Sequence, residues 1–224
     1  MKRKSTLSIL RETCSGVCVK RLTNRLGAWH KRRYKTAFTL IELLIVIAVI
    51  VVLTGLILTT IGYVQKKGAR ARAETEIAAM SAACESYKAD NGIYPRDTTN
   101  NTTDTLNART NLDPSAAVYS AASLFLYEQL AGVTSGSRSA IPSAKTYFTF
   151  KANMLLPAPP STSDITAIRD PFGNSYGYST ANQADPVTPK GYNPTFDLWS
   201  TAGIAPLPTP TPPATQQNLW IKNW

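Results

Sequence analysis

"KTAFTLIELLIVIAVIVVL", residues 35–53, decides how the rest of the chain is read. Lys35 leads through Thr36 and the small Ala37 to Phe38, and an apolar run follows at once. One acid, Glu42, stands just inside that run, and from Leu43 to Gln65 no charged residue appears. The uncharged stretch exceeds the ~20 residues that carry a helix across a bilayer core. It also exceeds the ~7–15-residue apolar core of a secretory signal. The pattern predicts a membrane-spanning helix that begins near Phe38, with Gly55 and Gly62 as soft points. Thr39-Leu40-Ile41-Glu42 fits a capping box, and an acid in the first turn suits the helix dipole.

The distribution of charge sharpens this picture. The 224-residue chain has a net charge of +10, but residues 1–37 hold eleven Lys/Arg against the single acid Glu12. Residues 38–224 hold thirteen Lys/Arg and thirteen Asp/Glu, so the basic excess belongs to a leader. Bulk charge therefore gives no support for a nucleic-acid partner, and none is predicted. A basic block ahead of an apolar span places residues 1–37 in the cytoplasm and the C-terminal part outside. Lys66, Lys67, Arg70 and Arg72 flank the far end and weaken that asymmetry without reversing it. Taken alone, the leader would also pass for an organelle transit peptide.

Residue types narrow the chemistry. Cys14 and Cys18 lie in the leader, Cys84 is the one thiol beyond it, and His30 is the one histidine. The outer part thus has no intrachain disulfide, no catalytic triad and no histidine metal site to draw on. No phosphate-binding loop is present either. The expectation is a non-enzyme without cofactor or metal. Cys84 reads as a small buried apolar residue, with a link between two subunits as the alternative.

Past the span, Ile77, Met80 (or Ser81), Cys84 and Tyr87 recur at helical spacing, and Arg70–Glu74 and Arg72–Glu76 stand four apart. The helix is predicted to continue to about residue 91, with Gly92 as a left-handed cap and Pro95 barring resumption. "RDTTNNTTDTLNARTNLDPS" (96–115) reads as a surface loop, and Ser115–Ala131 as a second helix stopped by Gly132. "KTYFTF" (145–150) alternates as a strand, "LLPAPPSTSD" (155–164) reads as a loop, and "DPFGNSYGYST" (170–180) and "TFDLWST" (195–201) read as short strands. A Pro-rich spacer (205–217) precedes "NLWIKNW" (218–224), whose two Trp argue for docking. Tyr176, Tyr178, Trp199, Trp220 and Trp224 are read as a small core, with a sugar-binding face as the alternative. The fold class is α+β: a long N-terminal transmembrane-plus-amphipathic helix packed on a small antiparallel sheet.

The stretch "KTAFTLIELLIVIAVI" resembles the signal of type IV pilins and of type II secretion pseudopilins. Three further stretches, "ESYKADNGIYP", "DPFGNSYGY" and "FDLWSTAG", are similar in order to segments of the major, G-type pseudopilins. The resemblance implies a pilin-like fold and cleavage by a prepilin peptidase between Ala37 and Phe38. It further implies N-methylation of Phe38 by the same enzyme and an assembly role for Glu42. The implied partners are copies of this chain and other pseudopilins. An inner-membrane platform protein and a secretion ATPase act indirectly, and the lipid bilayer holds the chain before assembly. Cleavage would place a new ammonium on Phe38. In a staggered filament, Glu42 would then neutralise the ammonium of a neighbouring copy, which makes the acid a register device.

The chain departs from the pattern in several places. Ala37 stands where Gly is usual, and the leader is long, so the true start is expected downstream at a non-ATG codon. The Pro often found midway along the helix is missing, and Gly55, Thr59, Thr60 and Gly62 are expected to loosen it instead. The calcium loop is replaced by "IAPLPTPTPPATQQ" (204–217), which has no carboxylate and is expected not to hold calcium. The expected divisions are a leader removed on processing (1–37), a membrane and filament-core segment (38–65), an outer domain (66–205) and a Pro-rich tail with a docking end (206–224). The expected role is a subunit of a pseudopilus or pilus-like filament, with the outer domain in the periplasm, most readily in type II secretion. Two rivals stand beside it: an uncleaved bitopic envelope protein with an outer binding domain, and a pilin of DNA uptake or adhesion.

Overall fold

Leu40–Asn91 form one helix, α1, of 52 residues. The structure is a computed structural model and describes residues 38–188, 190–204, 206 and 213–224. The chain divides into a unit ending at Ile50 and a unit of Val51–Trp224. In its apolar half α1 runs unbroken through Gly55 and Gly62, where the sequence suggested loosening. Thr60 Oγ1 donates to the Ile57 carbonyl at 2.9 Å. No proline interrupts the backbone ladder there.

The second half of α1 carries the stripe predicted for it. Ala73, Ile77, Met80 and Cys84 are buried and Tyr87 is half-buried. Arg70–Glu74 and Arg72–Glu76 form ion pairs at 3.4 and 3.3 Å, the first exposed and the second with Glu76 half-buried. Gly92 stops the helix with φ of +77°, and its amide donates to the Lys88 carbonyl at 2.7 Å.

Thr102–Thr105 form α2 and Ala117–Ala131 form α3. Gly132 ends α3 at φ of +69°, and the amides of Gly132 and Val133 both donate to the Glu128 carbonyl. The strands are short. β1 (Leu155–Leu156) pairs antiparallel with β2 (Ala167–Ile168). β3 (Gly177–Ser179) pairs with β4 (Asp197–Ser200), and β4 with β5 (Ile221–Lys222), all antiparallel in the order β3-β4-β5. Two single-turn helices, α4 (Ala181–Ala184) and α5 (Pro213–Gln217), and a 3-10 turn at Ala152–Met154 complete the elements among the described residues. The result is α+β, as the sequence predicted, with two small sheets in place of one.

The main core joins the stripe of α1 to Leu126 and Leu130 of α3, Ile168 of β2 and Tyr178 and Leu198 of β3 and β4. A second cluster packs Leu106, Tyr119 and Ala122 against Trp199 and Trp220. Gly177 is required by this packing, because a Cβ there would strike the Trp199 indole. The docking of "NLWIKNW" is realised as β5, with Trp220 buried.

Three local readings change. "KTYFTF" is not a strand: the amides of Tyr147 and Phe148 both donate to the Leu130 carbonyl, at 2.8 and 3.0 Å. Thr146 Oγ1 adds a bond to the Ala131 carbonyl at 3.0 Å, so the segment caps the open carbonyls of α3 instead of joining a ladder. "LLPAPPSTSD" begins with strand β1 where a loop was expected. "RDTTNNTTDTLNARTNLDPS" is not simply a surface loop, since it contains α2 and buries Asp97, Thr103, Asp104, Leu106 and Ala108.

Candidate functional site

Thr39 and Glu42 close the first turn of α1 on themselves. The Thr39 amide donates to Glu42 Oε2 at 2.8 Å, and Thr39 Oγ1 donates to the same oxygen at 2.7 Å. In return the Glu42 amide donates to Thr39 Oγ1 at 3.3 Å. This is the reciprocal cap predicted from Thr39-Leu40-Ile41-Glu42, and it satisfies two of the amides that a helix leaves open. Phe38 precedes the cap and is 83% exposed. Ala37 lies outside the described residues, as does the rest of 1–37. The arrangement places the carboxylate within one turn of the Phe38 backbone.

Beyond the cap, the large apolar side chains from Leu43 to Val64 are exposed on every side of the helix. Among the described residues, α1 is long and apolar enough to cross a membrane. A helix apolar all round is stable only in hydrocarbon or packed among other apolar surfaces.

Beyond α1, the carboxylates organise turns. Asp170 Oδ1 accepts the amides of Phe172 (3.0 Å) and Asn174 (2.8 Å), and its Oδ2 accepts the Ser200 hydroxyl at 2.6 Å. Burial pushes its carboxyl above the ordinary range against those bonds. Asp197 accepts the amides of Tyr192 and Asn193, both at 2.8 Å, and burial pushes it up too. Both therefore serve a turn and a strand end. Among the described residues, no group of three or more His, Cys, Asp or Glu converges. Half of the stretch expected not to hold calcium, residues 205 and 207–212, lies outside them.

Cys84 is fully buried, and burial holds its thiol well above its usual range, as expected for a packing residue and not for a nucleophile. The aromatic residues Tyr176, Tyr178, Trp199 and Trp220 are buried, which removes them from any sugar-binding face. Trp199 Nε1 donates to the Tyr119 hydroxyl at 3.1 Å, and Tyr176 donates to Glu76 Oε2 on α1 at 2.8 Å.

Some functional groupings were not visible in the sequence. Asp97 gathers the amides of Thr99, Asn100 and Thr102 and the Thr102 hydroxyl. Arg96 pairs with Asp104 at 2.9 Å, and Thr180 Oγ1 donates to the same carboxylate at 2.6 Å. The Asp-x-x-Asn spacing was a signal for the first of these. Arg70 donates to the carbonyls of Leu219 and Trp220 at 3.0 and 3.4 Å, tying α1 to the tail across about 150 residues, which no local pattern reveals.

A capped acid thus heads a helix that is apolar in its first half, set on an α+β part in which no metal-ligand cluster occurs among the described residues. Residues 32–58 match the family model described as the prokaryotic N-terminal methylation motif. The resemblance to type IV pilins and pseudopilins holds over that segment. The chain is also 32% identical over 65 residues to the type II secretion system core protein G of Vibrio cholerae. That alignment covers 29% of this chain and 44% of the relative, so the chain spans less than half the length of the relative it matches. No solved structure matches the chain at a significant level.

Proposed function

We propose that this chain is a structural subunit, not an enzyme, of a pseudopilus or pilus-like filament. The observation that carries the reading is the methylation motif over 32–58, with Glu42 at the head of an exposed apolar helix. In this reading the leader 1–37 is removed between Ala37 and Phe38 by a prepilin peptidase, and Phe38 is then N-methylated. Segment 38–65 first spans the inner membrane and then forms the filament core. Segments 66–205 and 206–224 form the periplasmic coat and its docked tail. An inner-membrane platform and a cytoplasmic ATPase would supply the work of assembly. Type II secretion is the favoured system, because the curated relative is a core protein of that system.

The capping box and an assembly role for Glu42 are compatible. Both cap bonds fall on Oε2 of the carboxylate. In hydrocarbon an ionised acid is costly unless a counter-charge meets it. The Phe38 ammonium of a neighbouring copy would meet it only at one axial stagger, which converts an electrostatic penalty into register.

Glu42→Gln tests this. The amide retains the cap acceptor but not the charge. The expected outcome is a processed, membrane-inserted subunit that forms no filaments, read by electron microscopy and by sedimentation of sheared surface material. Filaments at the parental yield would overturn the register role. Intact-mass measurement of the membrane-extracted protein tests the processing. An N-terminus at Phe38 carrying one extra methyl is expected, and retention of Met1 would favour the uncleaved bitopic alternative, which the Ala at position 37 keeps in play.

A further inference from the structure

Where the uncharged stretch of α1 ends, after Gln65, the helix carries Lys66, Lys67 and Arg70. Across from them stand Phe172, Ile204 and Leu219, and the two walls enclose an open groove of about 430 Å³. No Asp or Glu lines it. Leu219 is half exposed although it sits beside the buried Trp220.

The three cations are not equivalent. Arg70 is committed to structure, since it donates to the Leu219 and Trp220 carbonyls and pairs with Glu74. Its role is to hold the apolar wall opposite the helix. Lys66 and Lys67 have no carboxylate within ion-pair distance among the described residues. Lys67 Nζ lies 5.5 Å from the centre of the Tyr63 ring, one turn nearer the apolar run. Two uncompensated ammonium groups thus border an apolar slot at the height where the spanning segment leaves hydrocarbon. Lysines that merely extend to the interface need no second wall. A groove with cations on one side and aliphatic and aromatic carbon on the other matches a molecule with an anionic head and an apolar body.

We propose that this groove holds an anionic phospholipid of the membrane that α1 enters, its phosphate between Lys66 and Lys67 and the first part of an acyl chain against Phe172, Ile204 and Leu219. The inference rests on the membrane-anchored reading given above. Cations at the interface attract anionic lipid, and the fixed outer wall selects a lipid over a soluble anion. A subunit held this way has its outer domain seated on the membrane surface, and it must release the lipid when it leaves the bilayer.

The full chain, reconstituted in nanodiscs of equal parts phosphatidylglycerol and phosphatidylcholine, tests this through the lipids that it retains in native mass spectrometry. Preferential retention of phosphatidylglycerol is expected. Lys66→Gln and Lys67→Gln should each lower the preference about fivefold. Leu219→Asp should abolish it while insertion into the disc is unchanged, and Ile204→Asp serves if circular dichroism shows that Leu219→Asp misfolds. Equal retention of the two lipids by the parent, or a preference untouched by the acidic substitution, would overturn the groove and leave only interfacial lysines. Displacement of the lipid by inorganic phosphate at constant ionic strength would overturn it in favour of a soluble anion. A chain that does not enter the discs at all would overturn the membrane reading itself.

Discussion

Between Leu43 and Val64 α1 shows its apolar side chains on every side, whereas between Ala73 and Cys84 it buries about one per turn. The backbone is the same α-helix throughout. The difference lies in where the second surface comes from. In the C-terminal half this same chain supplies it, through α3, the small sheets and the Tyr176–Glu76 bond. In the N-terminal half no described residue outside α1 buries the apolar side chains, and a helix apolar all round needs hydrocarbon or another apolar surface against it. A helix can therefore be fully specified in one half and only prepared in the other.

Point substitutions can break that contrast or sharpen it. The largest effect is expected from Met80→Ala, which empties a fully buried site and should lower the stability of the packed part by about 2–5 kcal/mol. Leu53→Ala removes a side chain of similar size from the exposed half and should leave the same urea midpoint unmoved, both measured on the full chain in detergent. Equal effects would mean that the apolar half already packs within the monomer. A smaller loss is expected from Ser123→Ala. Ser123 Oγ accepts the buried Ile168 amide at 2.8 Å, and its removal orphans that donor at a cost of about 1–3 kcal/mol.

The smallest effect concerns Asp97 and has a pH signature. Burial pushes its carboxyl up, but the amides of Asn100, Thr99 and Thr102 and the Thr102 hydroxyl outweigh this and hold it below its ordinary value. The folded state thus binds this proton less readily than the unfolded state. The stability it contributes is complete above the ordinary value of ~3.9 and is lost as pH falls below it. Asp97→Asn should cost about 1 kcal/mol at neutral pH and flatten the acid limb of an unfolding titration below about pH 4. A titration identical to the parent's would show that the loop around α2 does not depend on this charge.

Much of the packed half was legible because its signals are local. Ile77, Met80 and Cys84 recur at the helical period, Gly92 and Gly132 stop their helices, and Gly177–Ser179 and Asp197–Ser200 fall within the two turn-bounded stretches read as short strands. What was missed depends on distant partners. The alternation of "KTYFTF" looks like a strand, but its amides meet the end of α3. Leu155–Leu156 pair with Ala167–Ile168 although prolines follow directly and mark a loop. The polar run at 96–115 buries part of itself, since Asp97 accepts from Asn100 and Asp104 from Arg96 within it, which composition alone conceals. At the candidate site, the Thr39–Glu42 cap could be read from four consecutive residues. The groove between Lys66 and Leu219 could not, because its walls are about 150 residues apart.

The indole cluster gives the molecule a built-in optical reporter. Trp199 and Trp220 stack with their ring centres 5.9 Å apart and planes 5° from parallel, and Trp224 meets Trp199 edge-on at 5.8 Å. The remaining tryptophan, Trp29, lies in the leader, and none occurs between residues 38 and 198. A chain that begins at Phe38 would emit indole fluorescence only from the contact of β4 with the C-terminal segment. Exciton coupling between the stacked rings in near-ultraviolet dichroism would then follow the closing of that last strand, with no indole background from the apolar helix.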